Sequence, residues 1–329
     1  MAPEPAAKRV FVLGATGTIG RAATRALVER GHDVVCLVRP GADMTDLQGA
    51  DLQRAELRRG QAADPASLKR DGLRGERFDA VLSCLASRTG APDDAWAIDF
   101  QAHADALDAA KEAGAEQFVL LSAICVQKPR LAFQRAKLAF EEKLMASGID
   151  WSIVRPTAYF KSLSGQLERL KRGKPFLLFG DGRLTACKPI SDRDLGAFMA
   201  DCLTDPQKRR RILPIGGPGP AITPREQGER LFRLMGRAPK FASVPPGMMT
   251  VIAGGLSVLG TIVPPLKAKA ELARIGHYYA TESMLVWDAA AGRYDAEATP
   301  ETGSDTLFDF YEKLVAGEAE AGLGAHKVF

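Results

Sequence analysis

"RVFVLGATGTIGRAATRALVERG", Arg9 to Gly31, decides the fold. An apolar run ends at Gly14. A G-x-x-G-x-x-G loop follows (Gly14, Gly17, Gly20), and the residues after it repeat with helical period up to Gly31. Strand, glycine turn and helix in this order form a backbone cradle for a pyrophosphate. The glycines admit a tight turn and a close approach, and the start of the helix offers free N–H groups and the positive end of its dipole. Gly14, Thr16, Gly17, Thr18, Ile19 and Gly20 are therefore expected to bind a dinucleotide.

The next apolar strand, "HDVVCLVR", states which dinucleotide. An acid near its end would hydrogen-bond a ribose 2′-hydroxyl and favour NAD. The strand ends instead in Arg39, whose forked cation suits a 2′-phosphate. The expected cofactor is NADPH, with Arg21 as a second, weaker phosphate contact. Asp64, in "GQAADPASL", has two readings: it approaches the adenine, or it caps the helix that follows.

Strands and helices go on alternating. "FDAVLSCLA", "AEQFVLLSA" and "IDWSIVRP" read as strands. "WAIDFQAHADALDAAKEAG" and "FQRAKLAFEEKLMASG" read as helices closed by Gly114 and Gly148, and "RILPIGGPG" as a late strand of the same sheet. The expected class is α/β: a Rossmann-like doubly wound parallel sheet with a smaller, mainly C-terminal substrate-binding lobe. The NADPH-binding domain is expected over residues 8–157, with 188–217 returning to its sheet. Residues 158–187 and 218–315 form the substrate-binding lobe, and 316–329 a tail.

Composition narrows the function. Hydrophobic residues make up 46% of 329 and charged residues 26%, enough for a substantial core. The net charge of +4 is spread along the chain. Its densest basic run, "DPQKRRRI", has no interleaved aromatic residues and reads as a solvated loop rather than a nucleic-acid surface. The five Cys form no CxxC pair and are odd in number, a spacing that supports neither a disulfide framework nor a zinc or iron–sulfur site. The four His are scattered, so no metal site is expected. "MAPEPAAKRV" lacks the apolar core of a signal peptide. The expectation is a cytoplasmic protein, peripheral at the cytoplasmic membrane face if it meets a membrane.

Three longer segments carry a resemblance. The N-terminal half resembles the atypical branch of the short-chain dehydrogenase/reductase superfamily, in which a strand and Arg-Pro turn like "SGIDWSIVRPTAYF" line the nicotinamide pocket. "RPTAYFKSLSGQLERLKRGKPFLLFGDG", "KPISDRDLGAFMADCL" and "VWDAAAGRYDAEATPETGSDTLFDFYEKL" are together similar to the family of NADPH-dependent divinyl chlorophyllide 8-vinyl reductases. The similarity runs from Arg9 to about Val315. It implies reduction of the C8 vinyl group of a divinyl tetrapyrrole to ethyl, in chlorophyll or bacteriochlorophyll synthesis. Plant members of that family carry an N-terminal targeting extension; the expectation for this sequence, which begins without one, is a bacterial, phototrophic source.

The resemblance also assigns roles. In "SAICVQKPRLAFQRAKLAFEEKL", Ser122 and Lys137 match the Ser and Lys of the superfamily, and Phe133 stands where its Tyr would be. Carbonyl–alcohol chemistry through that hydroxyl is absent. A vinyl group on a conjugated macrocycle has no oxygen to polarise, and Phe133 fits as an apolar wall beside the ring. Lys137 is expected to hold the cofactor, and Pro156 to line the nicotinamide pocket. Ser122 is either a pocket polar group or a strand terminator. Tyr159 is the nearest candidate proton donor, with water or another pocket group as the alternatives. The substrate contacts expected are Phe133, Tyr159, Phe160, Met248, Met249 and His277.

No charge occurs from Phe241 to Leu266. Three readings stand: a buried or mobile helix over the substrate pocket, an exposed apolar face for a tetrapyrrole or a membrane, or a short membrane span. His277, just beyond, is either a ligand to the substrate's magnesium or an ordinary packed residue. The rival to the reductase reading is a non-catalytic NADP(H)-binding regulator or assembly subunit of a membrane complex.

Overall fold

The computed structural model describes residues 6–42, 54–248 and 265–320, with Gly254 and Leu256 between them; of 265–268 it describes the backbone alone. The chain divides into two compact units. One comprises Met1–Pro156 and Asp192–Leu213, the other Thr157–Ser191 and Pro214–Phe329.

In the first unit, strands β1 (Arg9–Leu13), β2 (Asp33–Val38), β3 (Glu56–Arg59), β4 (Ala80–Ser83), β5 (Gln117–Leu121) and β6 (Asp150–Pro156) are joined by a strand at Arg211–Ile215 in one seven-stranded sheet. The order is β3-β2-β1-β4-β5-β6, then Arg211–Ile215, and the pairings from β3 through to β6 are parallel. Strands β4 and β5 are buried at every position and β1 at all but its first. Helices cover both faces, so these strands read as unbroken apolar runs rather than alternating ones. Helix α1 (Thr18–Glu29) packs on the helix Asp192–Asp201 so closely that a Cβ on Gly196 would lie 2.5 Å from the Ala22 carbonyl carbon. Phe11, Val35, Leu37, Phe78, Phe118, Phe140 and Ile153 belong to one continuous core cluster.

Two elements differ from the sequence reading. Strand β3, "ELRR", was not expected, because it is a short, polar edge strand. Its Arg58 is 2% exposed and is satisfied by Glu56, Glu76 and the Gly72 carbonyl rather than by apolar neighbours. The helix expected from Trp96 to Gly114 is α-helical only from His103 to Glu112. Before it, Trp96–Ala102 is a π-helical turn, and Pro92–Ala95 a single α turn. An inserted π turn of this kind re-aims side chains and recurs at functional sites.

The second unit has its own core, built from Phe160, Leu167, Leu170, Phe176, Leu231, Phe232, Leu307, Tyr311 and Leu314. It holds two small ladders. One is a parallel pair, Phe176–Phe179 with Phe241–Val244. The other is an antiparallel pair, Val286–Asp288 with Arg293–Asp295. The uncharged segment from Phe241 thus begins as a strand, and among the described residues no helix is long and apolar enough to cross a membrane.

Candidate cofactor site

Strand order reverses direction between β1 and β4, and a doubly wound sheet binds its ligand in the crevice at such a point. Gly14, at the end of β1, occupies the left-handed region with φ of 75°, and Gly17 N–H donates to its carbonyl at 3.0 Å. The turn is closed on both sides. A Cβ on Gly14 would lie 2.6 Å from the Cys84 carbonyl carbon, and one on Gly20 would lie 2.1 Å from the Gly14 oxygen. Only glycine fits either position. Gly17 caps α1 without a side-chain hydrogen bond, and the first turn carries no acid. That leaves the N-terminal end of the helix electropositive, as an anion site requires. Thr16 contributes its carbonyl to Arg21 Nη1 at 3.1 Å, so Arg21 braces the loop from within its own helix. Arg39, after β2, is exposed and has no side-chain partner among the described residues. Asp64 accepts from Ala66 N–H at 3.0 Å as the cap of the short helix Pro65–Ser67.

The Ser, Phe and Lys of the sequence analysis lie at the end of β5 and on the helix α3 (Ala132–Met145), taking α2 as His103–Glu112. Ser122 is 3% exposed, and its Oγ donates to Glu141 Oε1 at 2.5 Å. Arg155 grips the same carboxylate through both Nε, at 3.2 Å, and Nη2. The hydroxyl proton of Ser122 is thereby committed, and its oxygen can only accept from a ligand. Pro156, buried, ends the neighbouring strand β6. Phe133 is half-buried in the first turn of α3, and Lys137 lies one turn on. The Lys137 ammonium sits 3.0 Å from Asp99 Oδ1, with 11% of its side chain exposed against 0% for Asp99. Asp99 Oδ1 also accepts from Ser87 N–H at 3.2 Å.

His103 lies in the same buried region. Its Nδ1 faces the Ile98 carbonyl at 2.9 Å and its Nε2 the Ser83 hydroxyl at 2.9 Å. A carbonyl can only accept, so Nδ1 carries the proton and Ser83 donates to Nε2. Burial first, and then the Lys137 charge, lower its pKa to about 4. Cys84, against the glycine turn, is driven by burial to about 12, which removes thiolate chemistry from this site.

The substrate residues expected from sequence lie in the second unit. Tyr159 is half-buried and caps the short helix Phe160–Leu163, with a bridge to Ile190. Phe160 is 5% exposed with its ring 5.6 Å from that of Phe310, so it is committed to the core of its unit. His277 is partly exposed on the helix Pro265–Thr281, and the described residues hold no metal-ligand cluster. Met248 is 44% exposed; Met249 lies outside the described residues. Sequence reasoning missed Asp99, Glu141 and Arg155. A lone acid inside the apolar "WAIDF" was the signal for Asp99. Glu141 and Arg155 are too far apart in the chain for spacing to pair them.

Sheet order, glycine turn and unopposed helix start define a protein that binds a nicotinamide dinucleotide. The NAD(P)H-binding family matches residues 14–206. The chain belongs to the divinyl chlorophyllide a 8-vinyl-reductase family. It is 48% identical to the chloroplastic member from Oryza sativa subsp. indica over 336 residues, covering 99% of this chain and 83% of that one. It is likewise 48% identical to the Zea mays member, over 97% of this chain and 82% of that one. Among solved structures, the NADPH complex of an NADPH-dependent quinone oxidoreductase from Escherichia coli superposes with a TM-score of 0.67 at 18% identity, covering 93% of this chain and 99% of that one. That likeness is one of fold.

Proposed function

We infer that this protein is an NADPH-dependent reductase of the C8 vinyl group of a divinyl chlorophyllide, converting it to ethyl. The observation that carries the reading is membership, over nearly the whole chain, of a family named for that activity; the glycine turn at the start of an uncapped helix is consistent with it. The bound cofactor supplies the hydride. Gly14, Gly17 and Gly20 let the backbone reach its pyrophosphate, Arg39 takes the 2′-phosphate, and Lys137 holds the nicotinamide ribose. Phe133 keeps water and a competing hydroxyl away from the reacting carbon. Hydride addition to the vinyl terminus leaves charge that the conjugated macrocycle itself absorbs, so the protein's tasks are placement, exclusion of water and access of one proton. Ser122, its own proton held by Glu141, helps to shape the pocket rather than to donate. Tyr159 is our candidate for proton delivery. The unit formed by Thr157–Ser191 and Pro214–Phe329 provides the substrate contacts, Met248 and His277 among them. We place the protein on the cytoplasmic side, peripheral at the membrane face where it meets a membrane.

The test is incubation of purified protein with NADPH and divinyl chlorophyllide, following the Soret band. A blue shift that depends on NADPH is expected as the vinyl conjugation is lost. Arg39→Ala should cut kcat/KM for NADPH by about tenfold or more and leave that for NADH within about twofold. No NADPH-dependent change with any divinyl tetrapyrrole would remove the reading.

A further inference from the structure

In the second unit, the helix Pro224–Leu234 lies against the parallel ladder Phe176–Phe179 with Phe241–Val244, so close that a Cβ on Gly228 would lie 2.6 Å from Phe241 Cε1. Beside this contact a cleft of about 530 Å³ is lined by Arg225, Glu229, Arg233, Arg237, Pro239 and Phe241. Arg225, Glu229 and Arg233 follow at four-residue steps and share one face of the helix. Arg225 is spent on structure. Its Nε donates to Glu229 Oε1 at 3.1 Å, its Nη1 to the Asp181 carbonyl at 3.4 Å, and its guanidinium lies 5.0 Å from the centroid of the Phe241 ring. Glu229 is thereby neutralised and does not turn an anion away. Arg237 gives Nη1 to the Leu170 carbonyl at 2.7 Å, and a guanidinium has further donors to offer. Arg233 is exposed and makes no hydrogen bond or ion pair among the described residues.

Further cations gather at the same corner. The bond to Leu170 brings Arg237 to the end of the helix Leu167–Lys171, which Arg172 and Lys174 follow directly. Phe176 N–H donates to the Lys240 carbonyl at 2.8 Å, so Lys174 and Lys240 flank the same end of the ladder. Arg172, Lys174 and Lys240 are exposed and, like Arg233, have no acidic partner among the described residues. The acid of the short helix, Glu168, is taken by Lys171 at 3.0 Å. With Arg237, five cations that no acid pairs stand in one corner of one unit, whereas the whole chain has a net charge of +4. Like charges held together repel one another until an anion joins them. Because these five come from three separate segments and are exposed, they suit an extended array of anions better than a single bound ion. Long Lys and Arg side chains reach such an array while their stems stay on the protein. Phe241 is the one aromatic residue lining the cleft and is already covered by Arg225, so nucleic-acid bases find no stacking platform there.

We propose that the face formed by Arg172, Lys174, Arg233, Arg237 and Lys240 seats the protein on the phosphate headgroups of an anionic lipid bilayer. This rests on the peripheral-membrane reading above and gives it a contact surface. Co-sedimentation of the full chain with phosphatidylcholine vesicles, with and without phosphatidylglycerol, tests it. The parent should bind only where phosphatidylglycerol is present and should be released as salt is raised. Lys174→Gln, Arg233→Gln and Lys240→Gln together should weaken binding on the order of a hundredfold, since three charges near the surface are lost. Lys69→Gln, Lys111→Gln and Lys143→Gln together remove the same charge from exposed positions of the first unit and should change binding by less than about threefold. Equal losses in the two triple variants, or equal binding to phosphatidylcholine alone, overturn the inference. Saturable binding of inorganic phosphate that the first triple variant loses while keeping its vesicle binding makes the corner a site for a soluble phosphate, and overturns it too. A parent protein that binds neither vesicle removes the peripheral-membrane reading as well, while the Soret assay judges the reductase reading separately.

Discussion

The His103 ring gives its one proton to a backbone carbonyl and receives another from Ser83, so every neighbour fits the neutral form. An unfolded His takes a proton near pH 6.5, whereas this one, by burial, holds off until about 4. Above pH 6.5 both states are neutral and its contribution is complete. As pH falls below 6.5, the unfolded chain gains a proton that the folded chain refuses, and stability drops until the folded value is reached. The loss is up to roughly 3 kcal/mol. Denaturant midpoints of the parent and His103→Gln between pH 7 and pH 4 should show that slope in the parent and a flatter profile in the variant. None of this was legible in the sequence, where the four His read as scattered. What made His103 special was Ile98 five residues before it and Ser83 across a strand. The glycines were legible because their spacing in a turn between a strand and a helix is a local pattern, although what excludes a side chain at Gly14 is the distant Cys84 backbone. Asp99 and Glu141 were not, because a buried acid is explained only by the cation that folding brings to it.

At the scale of elements, helix α1 carries the dinucleotide turn at its start and is held by backbone-to-backbone contact with Asp192–Asp201 at Gly196. Gly196→Val has no room there. It should lower stability by about 1–3 kcal/mol, read as a fall in Tm, and weaken NADPH binding as the turn loses its support. The strands of the sheet were legible as apolar runs, because burial on both faces leaves no polar alternation to misread. Strand β3 and the π turn were not. At β3, the buried position is filled by an arginine satisfied by two acids, Glu56 and Glu76, and by the Gly72 carbonyl. The π turn keeps the composition of a helix and changes only its hydrogen-bond register.

Across the whole molecule, each unit has a separate core, and the second depends on the last described helix. Leu307, Tyr311 and Leu314 are each at most 2% exposed within it, and the Tyr311 hydroxyl donates to the Leu163 carbonyl at 2.8 Å. A chain truncated after Thr306 should lose protease resistance over 157–191 and 214–306 while residues 6–156 keep theirs, as limited proteolysis with peptide mapping would show. The segments that resembled a reductase family were legible because they are long and distinctive, while the chemistry of the pocket was not, since the residues that hold Lys137 and Ser122 share no motif with them. The division into units has one more consequence, for synthesis. On the ribosome, β1 to β6 emerge as one continuous run, but the helix that clasps α1 and the strand that closes the sheet beside β6 follow only after 157–191 have been made. During that interval, the nascent sheet carries a bare edge and α1 an uncovered face. That is the window in which this chain is most exposed to mispairing and has most need of a chaperone.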